Sequence, residues 1–262
     1  MDLRLGDQPG RTSEPKTAIK KAIQDVLLAE GLLAVKASVD CQTLEQLQEV
    51  LVARLGQNSI ETRRRYAQSI ARWFFSDGID GILRQVWVAY QDEAILTDLL
   101  RWSFLEQEPI MGACVTESLF PLENGIIIPV SYLDKFLTDL LQEAPPEKTR
   151  ERLKINLKKL GFLERAKGKP DRLAPVVSQK TSFLILMHHL FAPRSIRTLE
   201  LRNLFANQFW KFLGYKSEEA VRNLLREADA RGAVGKYIVA DQLEQVTTCF
   251  TMGELLERRL RL

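Results

Sequence analysis

Cysteine is scarce in this sequence of 262 residues, which contains only Cys41, Cys114 and Cys249. The three are far apart and no two of them form a Cys-x-x-Cys pair, so their spacing fits neither a disulfide framework nor a zinc site. We interpret them as buried free thiols of a protein in a reducing cytoplasm.

Histidines and long apolar runs are also few. The only two histidines, His188 and His189, are adjacent, and adjacent helical side chains point about 100° apart, which makes it difficult for them to bind one metal ion. The most apolar stretch, residues 182–192, is about half the length that spans a bilayer. The N-terminus has no apolar core of the signal-peptide type. We therefore predict a cytoplasmic protein with no membrane partner.

The common catalytic motifs are missing as well. The sequence has no Walker-type glycine-lysine loop, no Gly-x-Ser-x-Gly and no His-Glu-x-x-His. The acidic residues of its middle segment are scattered and do not form the clusters that hold paired magnesium ions. We therefore expect a protein that is not an enzyme and that uses no metal and no cofactor.

The charges are unevenly distributed, although the formal net charge is only +3. Residues 91–143 contain two basic and ten acidic residues, whereas residues 147–172 contain ten basic and four acidic residues. Residues 194–236 contain nine basic and five acidic residues. An acidic middle and a basic second half point to an anionic partner for the basic part.

Helical periodicity dominates the chain, with a first helix predicted over 15–36 and later helices over 147–160 and 197–213. Thr43, Ser59 and Ser217 are predicted to cap three further helices. The helices predicted over 147–160 and 218–231 are each followed by a glycine and by two short predicted strands. This is the order of elements in a winged helix. The sequence thus predicts a mainly α fold with tandem helix-turn-helix or winged-helix-like units that carry short β-hairpins.

The domain organisation follows from the same patterns. We predict a flexible arm over 1–14, an N-terminal helical domain with a helix-turn-helix over 15–108, and C-terminal winged-helix-like units over 109–262, at about 121–178 and 195–262. Proline and glycine cluster over 107–130, where the predicted boundary lies.

Segment 147–172 is the strongest candidate binding site. Arg150, Lys154 and Lys158 are four residues apart and share one face of the predicted helix. The predicted hairpin adds four cationic residues: Arg165, Lys167, Lys169 and Arg172. Long cationic side chains on a helix and an adjacent hairpin suit the phosphate backbone of double-stranded DNA. The alternative is a solvated face, or one that docks on the acidic middle segment.

A second candidate is the helix that begins after Ser59. It carries Arg63, Arg64 and Arg65, and it follows another helix after a short turn, as in a helix-turn-helix. Arg64, Gln68 and Arg72 lie on one stripe away from the aromatic face. Gln68 is a possible base-reading residue and Arg64 a possible partner for guanine. Salt bridges within the protein are the alternative role for these arginines.

Four strings of the sequence together resemble the BrxA family of bacterial BREX phage-defence systems. They are SIETRRRYAQSIARWFF at 59–75, ILTDLLRWSFLEQEP at 95–109, YLDKFLTDLLQ at 132–142 and TRERLKINLKKLGFLE at 149–164, which cover less than half of the chain. The resemblance implies a small, mostly helical, non-enzymatic protein that binds DNA and supports a multi-protein anti-phage system. Its partners would be double-stranded DNA and other defence-system proteins.

Two further hypotheses stay open at this point. In the first, the winged-helix-like units are docking surfaces of a protein-protein adaptor, which the acidic segment 91–143 favours. In the second, the chain is an RNA-binding or replication-initiation protein, which would require a preference for single strands or for an origin repeat.

Overall fold

The computed structural model describes residues 23–165, 170–240 and 243–262. This part of the chain is mainly helical, with two small antiparallel sheets, and the fold class is confirmed at that level. The helices are α1 (Leu28–Ser38), α2 (Leu44–Arg54), α3 (Ile60–Phe74), α4 (Ile82–Tyr90), α5 (Glu93–Gln107), α6 (Pro109–Ala113), the π-helical segment Cys114–Leu119, α7 (Val130–Leu141), α8 (Glu147–Lys159), α9 (Lys180–Phe191), α10 (Leu201–Ala206), α11 (Phe209–Phe212), α12 (Glu218–Ala230) and α13 (Met252–Arg258). The strands are β1 (Leu163–Glu164), β2 (Arg172–Leu173), β3 (Thr198–Glu200), β4 (Lys236–Ala240) and β5 (Leu243–Thr247).

The three predicted N-caps are confirmed. The side-chain oxygens of Thr43, Ser59 and Ser217 accept hydrogen bonds from backbone N–H groups in the first turns of α2, α3 and α12. These caps satisfy donors that a helix start leaves unpaired, and so they fix where each helix begins. None of the helices in the described ranges is both long and apolar enough to cross a bilayer.

The first predicted helix is wrong over residues 23–27, which form neither helix nor strand, and helix α1 begins only at Leu28. Residues 15–22 lie outside the described part. The buried Asn156 of α8 explains the difference, because its amide accepts a hydrogen bond from Val26 N (2.9 Å) and donates one to Gln24 O (2.7 Å). A side chain thus replaces the bonds of a helical turn, while the apolar side chains of the segment still reach the core.

The first sheet unit lies between residues 125 and 173. Residues 125–128 hydrogen-bond along one edge of β2: Gly125 N donates to Leu173 O (2.7 Å) and Ile128 N donates to Asp171 O (2.9 Å). The other edge of β2 pairs with β1. The predicted hairpin after α8 is therefore a ladder of two residue pairs, Leu163 with Leu173 and Glu164 with Arg172, and residues 125–128 add one bridge at Ile127.

The second sheet unit follows α9. Its strands are antiparallel in the order β3-β5-β4. The single helix predicted over 197–213 is wrong, because Thr198–Glu200 is a strand and two short helices follow it. The pairing of Leu199 with Val246 on β5 draws this stretch into the sheet. Its local sequence favours a helix, but tertiary pairing overrides that preference.

The two units share one order of elements. In each, a segment that pairs with the last strand is followed by helices, the last of which has 13 residues, and then by two strands; this segment is 125–128 in the first unit and β3 in the second. The last strand lies between two neighbours: β2 between β1 and the segment 125–128, which adds one bridge, and β5 between β3 and β4. Helices α8 and α12 therefore occupy equivalent places in this order.

A buried ion pair on α5 joins this helix to α8 and α9. Asp98 and Arg101 on α5 are almost fully buried, with Nη1 of Arg101 2.9 Å from Oδ1 of Asp98. Oδ2 of Asp98 accepts hydrogen bonds from Gln179 N and from the Ser182 hydroxyl at the start of α9, both at 2.8 Å. Arg101 Nε also donates to Leu160 O at the end of α8 (2.9 Å). One pair thus joins three helices.

We expect the Asp98→Ala substitution to lower the free energy of unfolding by about 3–5 kcal/mol, because it leaves the Arg101 charge buried without its partner. Urea unfolding followed by circular dichroism measures the change. Asp80→Ala is the matched control, since Asp80 is an exposed partner of Arg84 and such pairs contribute less than about 1 kcal/mol. Equal losses in the two variants would contradict the role of Asp98.

Buried His188 predicts a loss of stability in mild acid. Burial lowers the pKa of His188, although the Leu184 carbonyl that accepts from its Nδ1 opposes this effect. The unfolded chain therefore binds the proton more readily than the folded protein, and the free energy of unfolding falls as pH drops through about 6.5. We expect the free energy of unfolding of His188→Asn to change less between pH 5 and 7 than that of the unaltered protein, because asparagine does not titrate in this range. A profile as steep as that of the unaltered protein would exclude His188 as its source.

Candidate nucleic-acid interface

Of the two helices that we predicted to bind DNA, α8 carries more cationic residues than α3. It contains six cationic and two acidic residues. Its buried face is formed by Thr149, Leu153, Asn156 and Leu157. On either side of that face a basic stripe runs along the helix: the predicted stripe of Arg150, Lys154 and Lys158, and a second one of Lys148, Arg152 and Lys159 that our sequence reasoning did not single out.

The predicted stripe converges on one buried carboxylate. Asp171 precedes β2, and its side chain is only 4% exposed. Its oxygens lie 3.0 Å from Lys154 Nζ and 2.9 Å from Lys158 Nζ, and Arg165 Nε lies 3.9 Å away. Burial acts to raise the pKa of Asp171, but the hydrogen bonds and charges of Lys158 and Lys154 outweigh it, so the pKa lies below its ordinary value. Asp171 is therefore an anion that balances part of the stripe.

The rest of the predicted segment is divided. Arg150 pairs with Asp134 on α7 (3.5 Å). Arg172 is exposed on β2, and its backbone forms a bridge with Ile127. Lys167 and Lys169 lie outside the described residues. Four of the predicted cations of this segment, Arg150, Lys154, Lys158 and Arg165, thus lie within 4 Å of carboxylates of the same chain.

The second stripe of α8 lies against the segment 23–27. Arg152 Nη1 donates to Ile23 O (2.9 Å), and its Nε lies 3.6 Å from Asp25. Lys159 Nζ donates to Val26 O (3.5 Å) and the residue stays exposed. The spacing of residues 148, 152 and 159 could have predicted this stripe, because these positions share one face of a helix. Nothing in the sequence indicated that residues 23–27 would lie beside it.

The five predicted residues of α3 have different roles. Arg63 is half-buried and donates from Nη1 to Val52 O (3.0 Å), which is a structural contact with α2. Arg72 pairs with Glu108 (2.7 Å), and its guanidinium lies over the ring of Trp73. Arg64, Arg65 and Gln68 are exposed. Of the predicted arginines on α3, Arg64 and Arg65 are the two that are exposed and have no carboxylate partner among the described residues.

A groove brings α3 and α8 together. Arg65 on α3 and Arg152 on α8 line the two sides of a groove of about 130 Å³, whose floor includes Gln24 and Asp25 of the segment 23–27. Ser69 on α3 also lines it. Two basic helices whose residues Arg65 and Arg152 are 87 positions apart in the sequence therefore line one groove. We call it the α3–α8 surface, and it consists of Arg64, Arg65, Lys148, Arg152 and Lys159.

Helix α12 has the opposite charge balance to its equivalent, α8. It contains four acidic and two basic residues. Arg222 is bound by Glu218 and Glu244, each at 2.9 Å, and Arg226 by Glu219 at 2.8 Å. Both of its arginines are thus neutralised within the unit, which leaves this helix without a cationic face.

Among the described residues, no three histidine, cysteine or acidic side chains group as a metal site would require. Comparisons with protein-family models, with curated proteins and with solved structures found no match. The proposed function therefore rests on the geometry of the described residues.

Charge reversal at both Lys154 and Lys158 tests their structural role. It places two carboxylates beside buried Asp171, and we expect the free energy of unfolding to fall by about 2–4 kcal/mol, less than for a fully buried pair because the lysines are a third exposed. Thermal and urea unfolding measure the loss. The control replaces exposed Arg64 and Lys148 by Glu and should change stability by less than about 1 kcal/mol. Similar effects in both double variants would refute the assignment.

Proposed function

We propose that this protein binds double-stranded DNA through the α3–α8 surface and is not an enzyme. The observation that carries the proposal is the groove whose two sides are Arg65 and Arg152. It joins two basic helices into one positively charged surface, and DNA binding requires several cations that reach phosphates of one duplex at the same time.

We further propose that both sheet units are winged-helix units. Their shared element order, in which the last strand of each unit lies between two neighbouring segments, supports this assignment. Helix α8 then takes the place of the helix that enters the major groove, with the β1–β2 hairpin as the wing. Ile155 is 45% exposed on the outer side of α8, where an apolar side chain suits the methyl group of thymine.

The remaining cations divide into groups by their partners. Arg64, Arg65 and Lys148 form no ion pair with a described acidic residue, so their charges are available for phosphates. Gln68, one turn from Arg64 and Arg65 and also exposed, keeps its proposed role as a base-reading residue. Arg63 binds Val52 O and Arg72 binds Glu108 within the protein, so we assign both a structural role.

A triple variant tests the proposal. Replacing Arg64, Arg65 and Lys148 by Gln removes three available charges without breaking an ion pair of the fold. We expect affinity for a DNA duplex to fall at least tenfold at 0.1 M salt, and the slope of log K against log salt to become shallower by about 2–3. Fluorescence anisotropy with a labelled duplex over a range of salt concentrations measures both.

The matched control removes three exposed cations of the second unit and the chain's last segment, Arg194, Lys236 and Arg259. These residues lie outside the α3–α8 surface, so affinity and slope should change little. If both triple variants lose affinity equally, binding follows total charge and the surface is wrong. If the unaltered protein does not bind DNA, the proposal fails as a whole.

A second candidate function is that of an adaptor, and the second unit favours it. Helix α12 is acidic, and the β4–β5 hairpin exposes Ile238, Val239 and Leu243. Neutralised arginines and exposed apolar side chains suit protein docking better than phosphate binding. We propose that the two functions are divided between the units, with DNA on the first and other proteins on the second. The resemblance to BrxA would place those partners in an anti-phage defence system in the cytoplasm.

A further inference from the structure

Three cations share the single carboxylate of Asp171. Lys154, Lys158 and Arg165 all lie within 4 Å of its oxygens. The two lysine side chains are about 30% exposed, whereas the Asp171 side chain is 4% exposed. The ammonium groups thus reach out to solvent while the anion that holds them is inside.

A carboxylate in this position offers the lysines what a phosphate oxygen would offer. Both are anionic oxygen acceptors, and charge-assisted hydrogen bonds to either have similar lengths. A phosphate that approaches α8 on this side must compete with a carboxylate of the same chain, and the internal carboxylate pays no cost of association. The competition lowers the charge that this stripe presents to DNA.

We propose that Asp171 acts as an internal competitor for phosphate, which holds Lys154 and Lys158 back and weakens DNA binding on the hairpin side of α8. This inference rests on the proposed DNA-binding function. It gives the two sides of α8 different affinities for phosphate. The α3–α8 surface contacts phosphates with available charges, whereas Asp171 offsets one positive charge on the hairpin side.

The Asp171→Asn variant tests the inference in the full-length chain. Asn keeps the shape of the side chain and removes its charge, so both lysines become available. We expect affinity for a DNA duplex to rise about tenfold at 0.1 M salt, and the slope of log K against log salt to steepen by between one and two. Anisotropy measures affinity, and circular dichroism verifies that the variant is folded.

Glu151→Gln is the matched control, because it removes one negative charge from α8 itself and releases no lysine, as Glu151 forms no ion pair with a described basic residue. The gain for Asp171→Asn must exceed the gain for Glu151→Gln. It must also disappear when Lys154 and Lys158 are both replaced by Gln in the Asp171→Asn background. Equal gains in the two single variants, or a gain that persists without the lysines, would overturn the inference.

A second comparison does not alter Asp171 and so covers the case in which Asp171→Asn fails to fold. Lys154→Gln should reduce affinity by a smaller factor than Lys148→Gln, because Asp171 offsets part of the Lys154 charge, whereas Lys148 has no carboxylate partner among the described residues. Equal losses would refute the internal competitor while DNA binding stands. Absence of binding by the unaltered protein would instead remove the proposed function.

Discussion

The amide of Asn156 determines how the candidate site is assembled. It is fully buried on α8 and binds the backbone of residues 24 and 26 from both its oxygen and its nitrogen. An amide that both donates and accepts fixes a backbone segment in one register, and a buried amide that lost either bond would destabilise the fold. The segment 23–27 thereby lies between α3 and α8, so that Arg65 and Arg152 line the same groove. Asn156 is the buried member of this set of contacts, which Arg152 and Lys159 complete from the exposed side of α8.

Local features of the fold could be predicted from the sequence, since they depend on neighbouring residues. The caps Thr43, Ser59 and Ser217, the apolar face of α3 and the glycine-terminated helix α8 all follow from spacing alone. The stretch 23–27 and strand β3 could not be predicted, because each obtains its conformation from a distant partner. A helical pattern records only that apolar residues recur, and a segment outside any helix can bury them equally well.

The candidate site shows the same limit in its charges. Sequence identifies which residues are cationic and which of them share a helical face, and Lys154 and Lys158 do lie together. It does not reveal that Asp171, distant from them along the chain, would lie buried between them. Nor does it separate Arg63, whose guanidinium supports α2, from Arg64 and Arg65, which remain exposed. A count of basic residues therefore overstates what a surface presents to a partner.

Comparison of the two equivalent helices extends this reasoning from residues to units. Helices α8 and α12 have the same length and the same place in their units, yet their charges have opposite sign. Carboxylates pair with both arginines of α12, whereas Lys148 on α8 has no carboxylate partner among the described residues. Because the architecture is shared, it cannot by itself specify a nucleic-acid ligand. The difference in carboxylate pairing between the arginines of α12 and Lys148 on α8 is therefore the reason for proposing the phosphate contacts on the first unit.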